Sequence, residues 1–301
     1  MEYKNCVYIK DVNNEIKTNL NRYVKYCEED YKKQIFEIVS HVKENKNTKF
    51  VLLAGPSSSG KTTTARLLGE YFGSFDLKAK VISLDDFFVN RVDTPRWENG
   101  KYNYETVDAI DWKLFDECVN NLLHNGYSKM PTYNFITGEK EFNYETTLAE
   151  DEIIIIEGLH SLNPIIDNFI PTNLSVKVYL SPRVNFLDEN GNEVIDGKQM
   201  RFFRRLIRDA FTRGSSPEHT LQVWPDVKLG EKLYIDPFKN QADYHINSCH
   251  NYEVGVYKSI LKELNLLEDP ILLPYTKLLE KFDMVDKDVV PSSSLLTEFV
   301  H

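Results

Sequence analysis

The fold of this chain is decided by residues 50–71, which read FVLLAGPSSSGKTTTARLLGEY. The first five of them form the short apolar run that is typical of a buried β-strand, and residues 62–71 have the pattern of a helix. The turn between them, residues 55–62, fits GxxxxGK(S/T) at every fixed position. Such a turn directs backbone N–H groups, and the positive end of the following helix, toward an anion. The sequence therefore predicts a phosphate-binding loop, or P-loop.

The residue types in this loop are those that bind a nucleoside triphosphate. Glycine lets the backbone approach phosphate oxygens that a Cβ atom would block. Lys61 supplies a point charge for the β- and γ-phosphates of ATP, and the Thr62 hydroxyl is a candidate ligand of Mg²⁺. The ATP-binding candidates in the loop are Gly55, Ser57, Ser58, Ser59, Gly60, Lys61, Thr62 and Thr63.

Strand and helix patterns alternate along the chain after this loop. Apolar runs at residues 80–83, 153–156 and 175–180 predict further strands, and residues 111–125 predict a helix that ends before Gly126. Strands that alternate with helices favour a mostly parallel sheet with helices on both faces. The predicted fold class is therefore α/β, with the P-loop NTPase arrangement.

The chain divides into three parts by composition. Residues 1–49 predict an N-terminal helical extension, with an amphipathic helix at about 28–45 and a charged linker after it. Residues 50–265 hold the P-loop and form the predicted catalytic domain, in which residues 188–198 are an exposed loop or a short hairpin. Residues 266–301 predict a C-terminal tail that packs on the domain and contains a short helix.

The bulk composition disfavours several functional classes. The 36 lysines and arginines against 46 aspartates and glutamates give a net charge of −10, which disfavours binding to a nucleic-acid backbone. The N-terminus lacks the apolar segment of a signal peptide, and the longest aliphatic run, at residues 153–156, is too short to cross a membrane. The four cysteines are scattered, as in a reduced cytoplasmic protein. We expect no nucleic-acid and no membrane partner, and the sequence leaves a homo-oligomer open.

Acidic residues follow two of the predicted strands. Glu157 ends the strand at 153–156, where P-loop enzymes place an acid that helps to hold Mg²⁺. Asp85 and Asp86 follow the strand at 80–83, at the sheet edge where α/β proteins bind their ligands. Asp85 is the candidate general base for an attacking hydroxyl. The alternative is that one aspartate caps a turn and the other is solvated, and both interpretations can hold together.

Residues 200–214, MRFFRRLIRDAFTRG, predict an arginine-rich helix. An apolar stripe at helical spacing occupies one side, and Arg201, Arg205 and Arg208 fall together on another. Arg204 lies near them. Guanidinium groups suit phosphate oxygens, so the helix is predicted to form a lid over the nucleotide. The alternative is a solvated basic helix face.

The class of P-loop protein follows from what accompanies the loop. A guanine-reading NKxD motif is absent, since residues 239–243 place these residue types in the wrong order. A small-molecule kinase instead needs a base near the acceptor hydroxyl, an acceptor pocket, and arginines that close over the phosphates. Candidates for all three occur in this sequence.

Seven motifs, in order along the chain, resemble the uridine–cytidine kinase and phosphoribulokinase group of P-loop kinases. They are GPSSSGKT (55–62), SLDDFF (83–88), YNYETVDAID (102–111), MPTYNF (130–135), IIIIEGL (153–159), RFFRRLIRDAFTRG (201–214) and YIDPFKNQAD (234–243). The N-terminal helix and the ending PSSSLLTEFV look like bacterial uridine-kinase-like domains that sometimes follow a threonyl-tRNA-synthetase-like region. The resemblance implies a kinase that uses ATP and Mg²⁺ to phosphorylate a nucleoside, uridine or cytidine, at its 5′-hydroxyl.

The resemblance also implies roles for individual residues. It makes Asp85 the general base on the acceptor hydroxyl, and therefore also an acceptor-binding residue. Lys61 and Arg208 join Asp85 as the catalytic candidates. Thr62 and Glu157 are the residues implied to hold the metal.

Further residues are implied to bind the acceptor or ATP. Glu105 falls where the family places an aspartate that binds the ribose hydroxyls. Tyr133 and Phe135 fall where aromatic residues line the base pocket. Arg205 matches a lid arginine that contacts both ATP and acceptor, and Arg213 matches one that contacts ATP.

Three departures from the family pattern concern the acceptor side. The position of the base-reading histidine falls on Gly138, the ribose-binding aspartate becomes Glu105, and one lid arginine falls on Ser215. A pocket that loses a hydrogen-bonding group can change its discrimination strongly. The alternatives are therefore a kinase of another small hydroxyl compound, such as a sugar phosphate, and a nucleotide-binding regulatory module without catalysis.

Overall fold

The computed structural model describes residues 5–149, 151–212 and 214–300. Its strands are β1 (Asn5–Tyr8), β2 (Phe50–Ala54), β3 (Ala79–Ser83), β4 (Tyr127–Asn134), β5 (Glu139–Thr147), β6 (Ile153–Gly158), β7 (Ser175–Ser181), β8 (Val184–Leu187), β9 (Glu193–Asp196) and β10 (Tyr244–Asn247). Its helices are α1 (Ile9–Glu44), α2 (Lys61–Ser74), α3 (Trp112–Asn125), α4 (Gly197–Thr212), α5 (Pro217–Tyr234), α6 (Glu253–Glu263) and α7 (Leu273–Thr276).

A five-stranded parallel sheet forms the centre of the fold, in the order β10-β7-β2-β6-β3. Its register sets Ala54 of β2 beside Gly158 of β6, and Ser83 of β3 beside Glu157. The carboxyl ends of these strands therefore meet at one edge, and the P-loop and Asp85 follow two of them directly. The predicted α/β class with a parallel sheet is confirmed.

Helices cover both faces of this sheet, and the alternation of side chains along β2 shows how. Val51 and Leu53 belong to the larger hydrophobic core, which also receives apolar residues of α1, α2, α4 and α6. Phe50 and Leu52 point to a second core, which contains Phe115 and other residues of α3. Because both faces are buried, the strand is a continuous apolar run instead of an alternating one.

The predicted helix at 111–125 is confirmed, together with its boundaries. The Asp111 side chain accepts a hydrogen bond from the Leu114 N–H at 3.1 Å and so caps the first turn of α3. Gly126 ends the helix in the left-handed conformation with φ of 73°. The expectation of a hairpin at 188–198 is also confirmed, because β8 and β9 pair antiparallel across this segment.

The N-terminal helix is longer than its sequence pattern indicates. It begins at Ile9 and not near residue 28, with one non-helical residue at Asn19. Ile9 and Val12 are buried, but most of the residues between the buried positions are polar. The first half of the helix therefore lacks a clear apolar periodicity in the sequence. The Tyr31 hydroxyl lies 2.7 Å from the Thr64 hydroxyl of α2, so this helix packs directly behind the P-loop helix.

The C-terminal segment packs against α1 and the larger hydrophobic core. The predicted short helix is present as the four residues of α7, followed by a 3₁₀ turn at Lys277–Leu279. Leu295, Leu296 and Phe299 are buried in the larger core. Ser294 donates a hydrogen bond to the buried carboxylate of Glu28 in α1 at 2.6 Å.

None of the helices in the described part of the chain combines the length and the apolar content that a membrane-crossing segment needs.

Candidate active site

The P-loop has the backbone geometry that its glycines predict. Gly60 caps α2 with φ of 97°, a left-handed conformation that glycine adopts without strain. A Cβ atom on Gly55 would lie 2.2 Å from the carbonyl oxygen of Leu180 at the end of β7. The loop can therefore leave the sheet edge only with glycine at this position, and α2 begins directly after it.

Thr62 and Glu157 meet at the mouth of this loop. The Thr62 hydroxyl lies 3.3 Å from Oε1 of Glu157, and Ser83 donates a hydrogen bond to the same oxygen at 2.8 Å. Burial, and then the nearby charge of Asp85, raise the pKa of Glu157 from 4.5 to about 7, although Lys61 acts in the opposite direction. The surroundings of Glu157 do not fully stabilise its negative charge, so a cation that binds here would be favoured.

The donor set at this corner fits a magnesium ion that arrives with a nucleotide. Within the described residues, no group of three or more cysteines, histidines, aspartates and glutamates lies close enough together to hold a metal. Mg²⁺ in phosphate-transfer enzymes keeps several waters and takes only one or two protein ligands, the rest coming from phosphate. The pair Thr62 and Glu157 matches that requirement.

Glu105 and Glu157 both lie within electrostatic reach of Lys61 and Asp85. Burial is the main cause that raises the pKa of each glutamate, the charge of Asp85 raises it further, and Lys61 lowers it. The Lys61 ammonium group donates a hydrogen bond to the Pro56 carbonyl oxygen at 3.3 Å. The structure therefore brings together, from four separate segments of sequence, the phosphate lysine and the three acids that the sequence singled out.

Asp86, the neighbour of Asp85, has a structural contact. Its Oδ1 accepts a hydrogen bond from the Tyr133 N–H at 3.3 Å, which ties the 3₁₀ turn after β3 to strand β4. Burial is the main cause that raises the pKa of Asp86. The structural interpretation therefore describes Asp86, through a contact with β4 and not through a turn cap, and the role of Asp85 as the base stays a prediction.

Glu105 is accommodated by a glycine in a distant helix. A Cβ atom on Gly230 of α5 would lie 2.2 Å from Cβ and 2.5 Å from Cγ of Glu105. Any larger residue at position 230 would displace this glutamate. Gly230 lies in a helix interior, where glycine costs about 1 kcal/mol relative to alanine, and the space for Glu105 is a physical reason for its presence.

The pKa of Glu105 predicts a pH-dependent effect of its replacement. Burial raises this pKa from 4.5 to about 7, while Arg205 and Lys61 lower it. The folded state therefore binds the proton more tightly than the unfolded chain, so the wild type loses stability as the pH rises from 4.5 through 7. We expect Glu105→Gln to stabilise the ligand-free protein by about 1–2 kcal/mol at pH 8, a value reduced from the full linkage because the side chain is partly open to the cleft.

Urea denaturation of both proteins at pH 5 and pH 8 checks this expectation. The gain should be clearly smaller at pH 5, because the wild-type glutamate is then largely protonated in the fold. An equal gain at both pH values would show that shape, and not ionisation, is responsible.

The arginines of α4 divide into two pairs with different surroundings. Arg201 and Arg204 are buried and form ion pairs, at 2.5 Å with Glu231 and at 2.9 Å with Glu253. The interpretation of this helix as a solvated basic face is therefore wrong for these two. These acidic partners could not be predicted from the sequence. They lie 30 and 49 positions further along the chain, and local spacing does not indicate contacts over that distance.

The two buried arginines hold the P-loop from its outer side. Arg201 donates a hydrogen bond to the Ser57 carbonyl oxygen at 3.2 Å, and Arg204 donates to the carbonyl oxygens of Ser58 at 3.4 Å and Ser59 at 3.1 Å. Carbonyl groups that point outward leave the N–H groups of a loop free to point inward.

Of the other two arginines, only Arg205 has a described contact with the P-loop. Arg205 donates a hydrogen bond to the Ser57 hydroxyl at 2.9 Å and pairs with Asp209 at 3.3 Å. Arg208 pairs with the same aspartate at 2.8 Å. Arg213, the remaining arginine candidate, lies outside the described residues.

The aromatic candidates lie in one cluster beyond Asp85. The rings of Tyr133 and Phe135 are 5.0 Å apart, and the ring of Phe88 lies 5.6 Å from the first and 6.3 Å from the second. Tyr133 is buried, whereas Phe135 is 53% exposed. Gly138, at the tip of the β4–β5 hairpin, lies against the side chain of Arg91, a residue that no sequence pattern indicated.

Glu298 in the C-terminal segment contacts the first turn of α2. Its Oε2 accepts hydrogen bonds from the Thr63 N–H at 3.3 Å and from the Thr63 hydroxyl at 2.9 Å. Leu295 lies over Gly60, at 2.5 Å from the position of a Cβ atom there. A carboxylate thus takes donors of Thr63, one of the ATP-binding candidates, and no sequence pattern indicated this contact.

Comparisons with known proteins agree with this arrangement. The model of the Phosphoribulokinase / Uridine kinase family matches residues 50–254. A uridine kinase from Lactobacillus helveticus (strain DPC 4571) is 32% identical over 205 residues, which are 68% of this chain and 88% of that protein. A uridine kinase from Borrelia garinii subsp. bavariensis is 28% identical over 220 residues, which are 72% of this chain and 96% of that protein.

A solved structure of a possible uridine kinase from Bacillus stearothermophilus is 17% identical, with a TM-score of 0.46, and the match covers 71% of this chain and 97% of that one. The family match spans more than half of this sequence and includes the P-loop, the three acids and helix α4. The chain therefore belongs to the Phosphoribulokinase / Uridine kinase family and is a phosphotransferase with a hydroxyl acceptor.

Proposed function

We propose that this protein is an ATP- and Mg²⁺-dependent nucleoside kinase that phosphorylates the 5′-hydroxyl of uridine or cytidine. The observation that carries the proposal is the group of acids beside the P-loop: Glu157 lies 3.3 Å from the Thr62 hydroxyl, and both Glu105 and Glu157 interact electrostatically with Asp85 and Lys61. Such crowding is costly for stability and is typical of a site where a polyphosphate, a metal ion and a hydroxyl come together. The named relatives in the family support the nucleoside acceptor.

Each part of the phosphate side has a role in this proposal. The N–H groups of the P-loop and Lys61 bind the phosphates, and Thr62 with Glu157 holds Mg²⁺. Magnesium-bound ATP supplies an activated phosphoryl group whose charge the loop stabilises. Arg205 contacts the Ser57 hydroxyl and adds a guanidinium donor at the loop. Arg208 keeps the catalytic role, and Arg213 the ATP-binding role, that their sequence positions suggest.

The acceptor side begins at Asp85. Its carboxylate accepts the proton of the 5′-hydroxyl, and Glu105 binds the ribose hydroxyls from the neighbouring position. Tyr133 and Phe135 hold the flat base. The altered groups on this side, Glu105 and Gly138, concern which base is preferred and leave the base catalyst and the P-loop intact.

The kinase domain in this proposal is residues 50–265, with residues 1–49 as an N-terminal extension and 266–301 as a C-terminal tail on the domain. The proposed location is the cytoplasm. The proposed partner is a small-molecule acceptor, and the proposal leaves a homo-oligomer open.

An assay of ADP release with magnesium and ATP, over a panel of nucleosides and sugar phosphates, tests this function. Uridine or cytidine should stimulate ADP release, and mass spectrometry should identify the 5′-monophosphate. Stimulation by a sugar phosphate alone would make the protein a kinase of that compound. Binding of ATP without release of ADP in the presence of any acceptor would identify a regulatory module.

The contact of Glu298 with Thr63 predicts the effect of a single substitution in the C-terminal segment. We expect Glu298→Gln to lower the Kd for magnesium-bound ATP by about threefold to tenfold, because a negative charge within 3.3 Å of an anion-binding N–H repels the phosphates. Titration calorimetry of the variant and the wild type measures this change. Glu70→Gln, on the exposed side of the same helix, is the matched control and should leave Kd unchanged. Weaker binding by the Glu298 variant would mean that this carboxylate supports the nucleotide.

A further inference from the structure

A shelf of aromatic rings begins three residues after Asp85. It consists of Phe88, Tyr104, Tyr133 and Phe135, and we call it the aromatic shelf. The ring of Phe88 lies 5.8 Å from Tyr104 and 5.6 Å from Tyr133, in edge-to-face arrangements. Phe135 leaves about half of its surface open. A flat heterocycle attached to a sugar whose hydroxyl reaches Asp85 therefore finds an apolar surface here.

Arg91 is fixed at the outer end of the aromatic shelf. Its backbone N–H donates to the Gly138 carbonyl oxygen at 2.7 Å. Its guanidinium group donates to the Phe135 carbonyl oxygen at 2.6 Å, to that of Ile136 at 3.2 Å, and to the Tyr104 hydroxyl at 3.2 Å. The side chain thus joins the hairpin tip to the shelf.

Only glycine at position 138 permits this position of Arg91. A Cβ atom there would lie 2.6 Å from Cβ and 2.7 Å from Nε of the arginine, and Gly138 itself has φ of 79°. Two independent features, the missing side chain and the left-handed backbone, therefore place a cation at this end of the shelf.

The guanidinium group of Arg91 retains donors that the protein does not use. An arginine side chain carries five N–H groups and no acceptor. Three of them are used in the hydrogen bonds above, and Arg91 has no ion-pair partner in the parts of the chain that the structure describes. A group at this end of the shelf therefore meets a donor with a full positive charge.

We propose that Arg91 determines base specificity and selects uridine over cytidine. This inference rests on the proposed nucleoside kinase function. In a pyrimidine nucleoside the C4 substituent lies opposite the nitrogen that carries the sugar. With the sugar at Asp85 and the ring on the aromatic shelf, C4 points toward the hairpin tip and Arg91. Uracil presents a carbonyl oxygen at C4, which accepts a hydrogen bond, whereas cytosine presents an amino group, which opposes a second donor.

The test is the ratio of kcat/KM for uridine to kcat/KM for cytidine. We expect the wild type to favour uridine by about 10- to 100-fold, the range of a hydrogen bond to a charged group. Arg91→Gln should bring the ratio to within about threefold of one, because an amide can both donate and accept. Arg91→Lys keeps the charge and the donors and should still prefer uridine. Arg96→Gln is the matched control and should keep the wild-type ratio, since Arg96 is exposed and bonds to the Gly100 carbonyl oxygen instead.

The outcomes separate this inference from the function on which it rests. Equal use of both nucleosides by the wild type would overturn the role of Arg91 while leaving the kinase in place. If Arg91→Gln lowered kcat/KM for uridine and for cytidine equally, Arg91 would only hold the β4–β5 hairpin in place and would not select the base. Thermal melting would show whether that variant is folded. Failure to phosphorylate either nucleoside would overturn the proposed function and this inference with it.

Discussion

Asp85→Asn is expected to lower kcat for nucleoside phosphorylation by about 10²- to 10⁴-fold, which is the usual contribution of a positioned general base. The amide retains the size of the side chain but cannot accept the proton of the hydroxyl. Affinity for ATP should stay within a few-fold of the wild type, because the P-loop and Lys61 are untouched. Steady-state kinetics at saturating ATP, together with calorimetry of nucleotide binding, measure both quantities.

The neighbouring aspartate provides the control for this substitution. Asp86 accepts a hydrogen bond from the Tyr133 N–H at 3.3 Å, and an asparagine can still accept it through its carbonyl oxygen. Asp86→Asn should therefore change kcat less than about tenfold. If both variants lost activity equally, the turn after β3 would be important as a structure and Asp85 would not be the base.

The phosphate side of the site could be predicted from the sequence because its constraints are local. Gly60 must be glycine because its backbone is left-handed, and the strand before the loop and the helix after it are contiguous with it in the chain. The acids at the ends of β3 and β6 were predictable for a related reason. In a parallel sheet the carboxyl ends of neighbouring strands lie at one edge, so Asp85 and Glu157, which are 72 positions apart, come to the same edge.

The acceptor side and the support of the loop depend instead on contacts between distant segments. The space that Glu105 requires is provided by Gly230, and the place of Arg91 is provided by Gly138. Neither pair has a spacing or a periodicity that a single sequence displays. The same applies to Glu298, which reaches Thr63 across 235 positions. Sequence patterns identify what a residue is, whereas these roles depend on what lies next to it.

The arginine helix α4 shows this limit most clearly. Its periodicity predicts one apolar face and one basic face, but burial does not follow that division: Phe211 of the apolar stripe is exposed, and Arg201 and Arg204 are buried. The arginines differ in the groups that they contact. Arg201 and Arg204 contact buried glutamates and carbonyl groups of the P-loop, whereas Arg205 and Arg208 share Asp209 as their acidic partner.

The pair of Arg204 and Glu253 should therefore be important for stability as well as for the P-loop. We expect Arg204→Met to lower the free energy of unfolding by about 3–5 kcal/mol, because removal of one partner leaves a buried charge without compensation. The Glu253 carboxylate would then be left with neutral donors, among them the Tyr257 hydroxyl and the His250 N–H. Chemical denaturation of the ligand-free protein measures the loss.

Arg66→Met is the matched control, because Arg66 forms an ion pair with Glu70 on the exposed side of α2. Its replacement should cost no more than about 1 kcal/mol. The Arg204 variant should in addition bind magnesium-bound ATP more weakly, since the carbonyl groups of Ser58 and Ser59 lose the donor that holds them outward. A variant that was destabilised but bound ATP normally would separate the two effects, and it would show that the loop keeps its shape without support from α4.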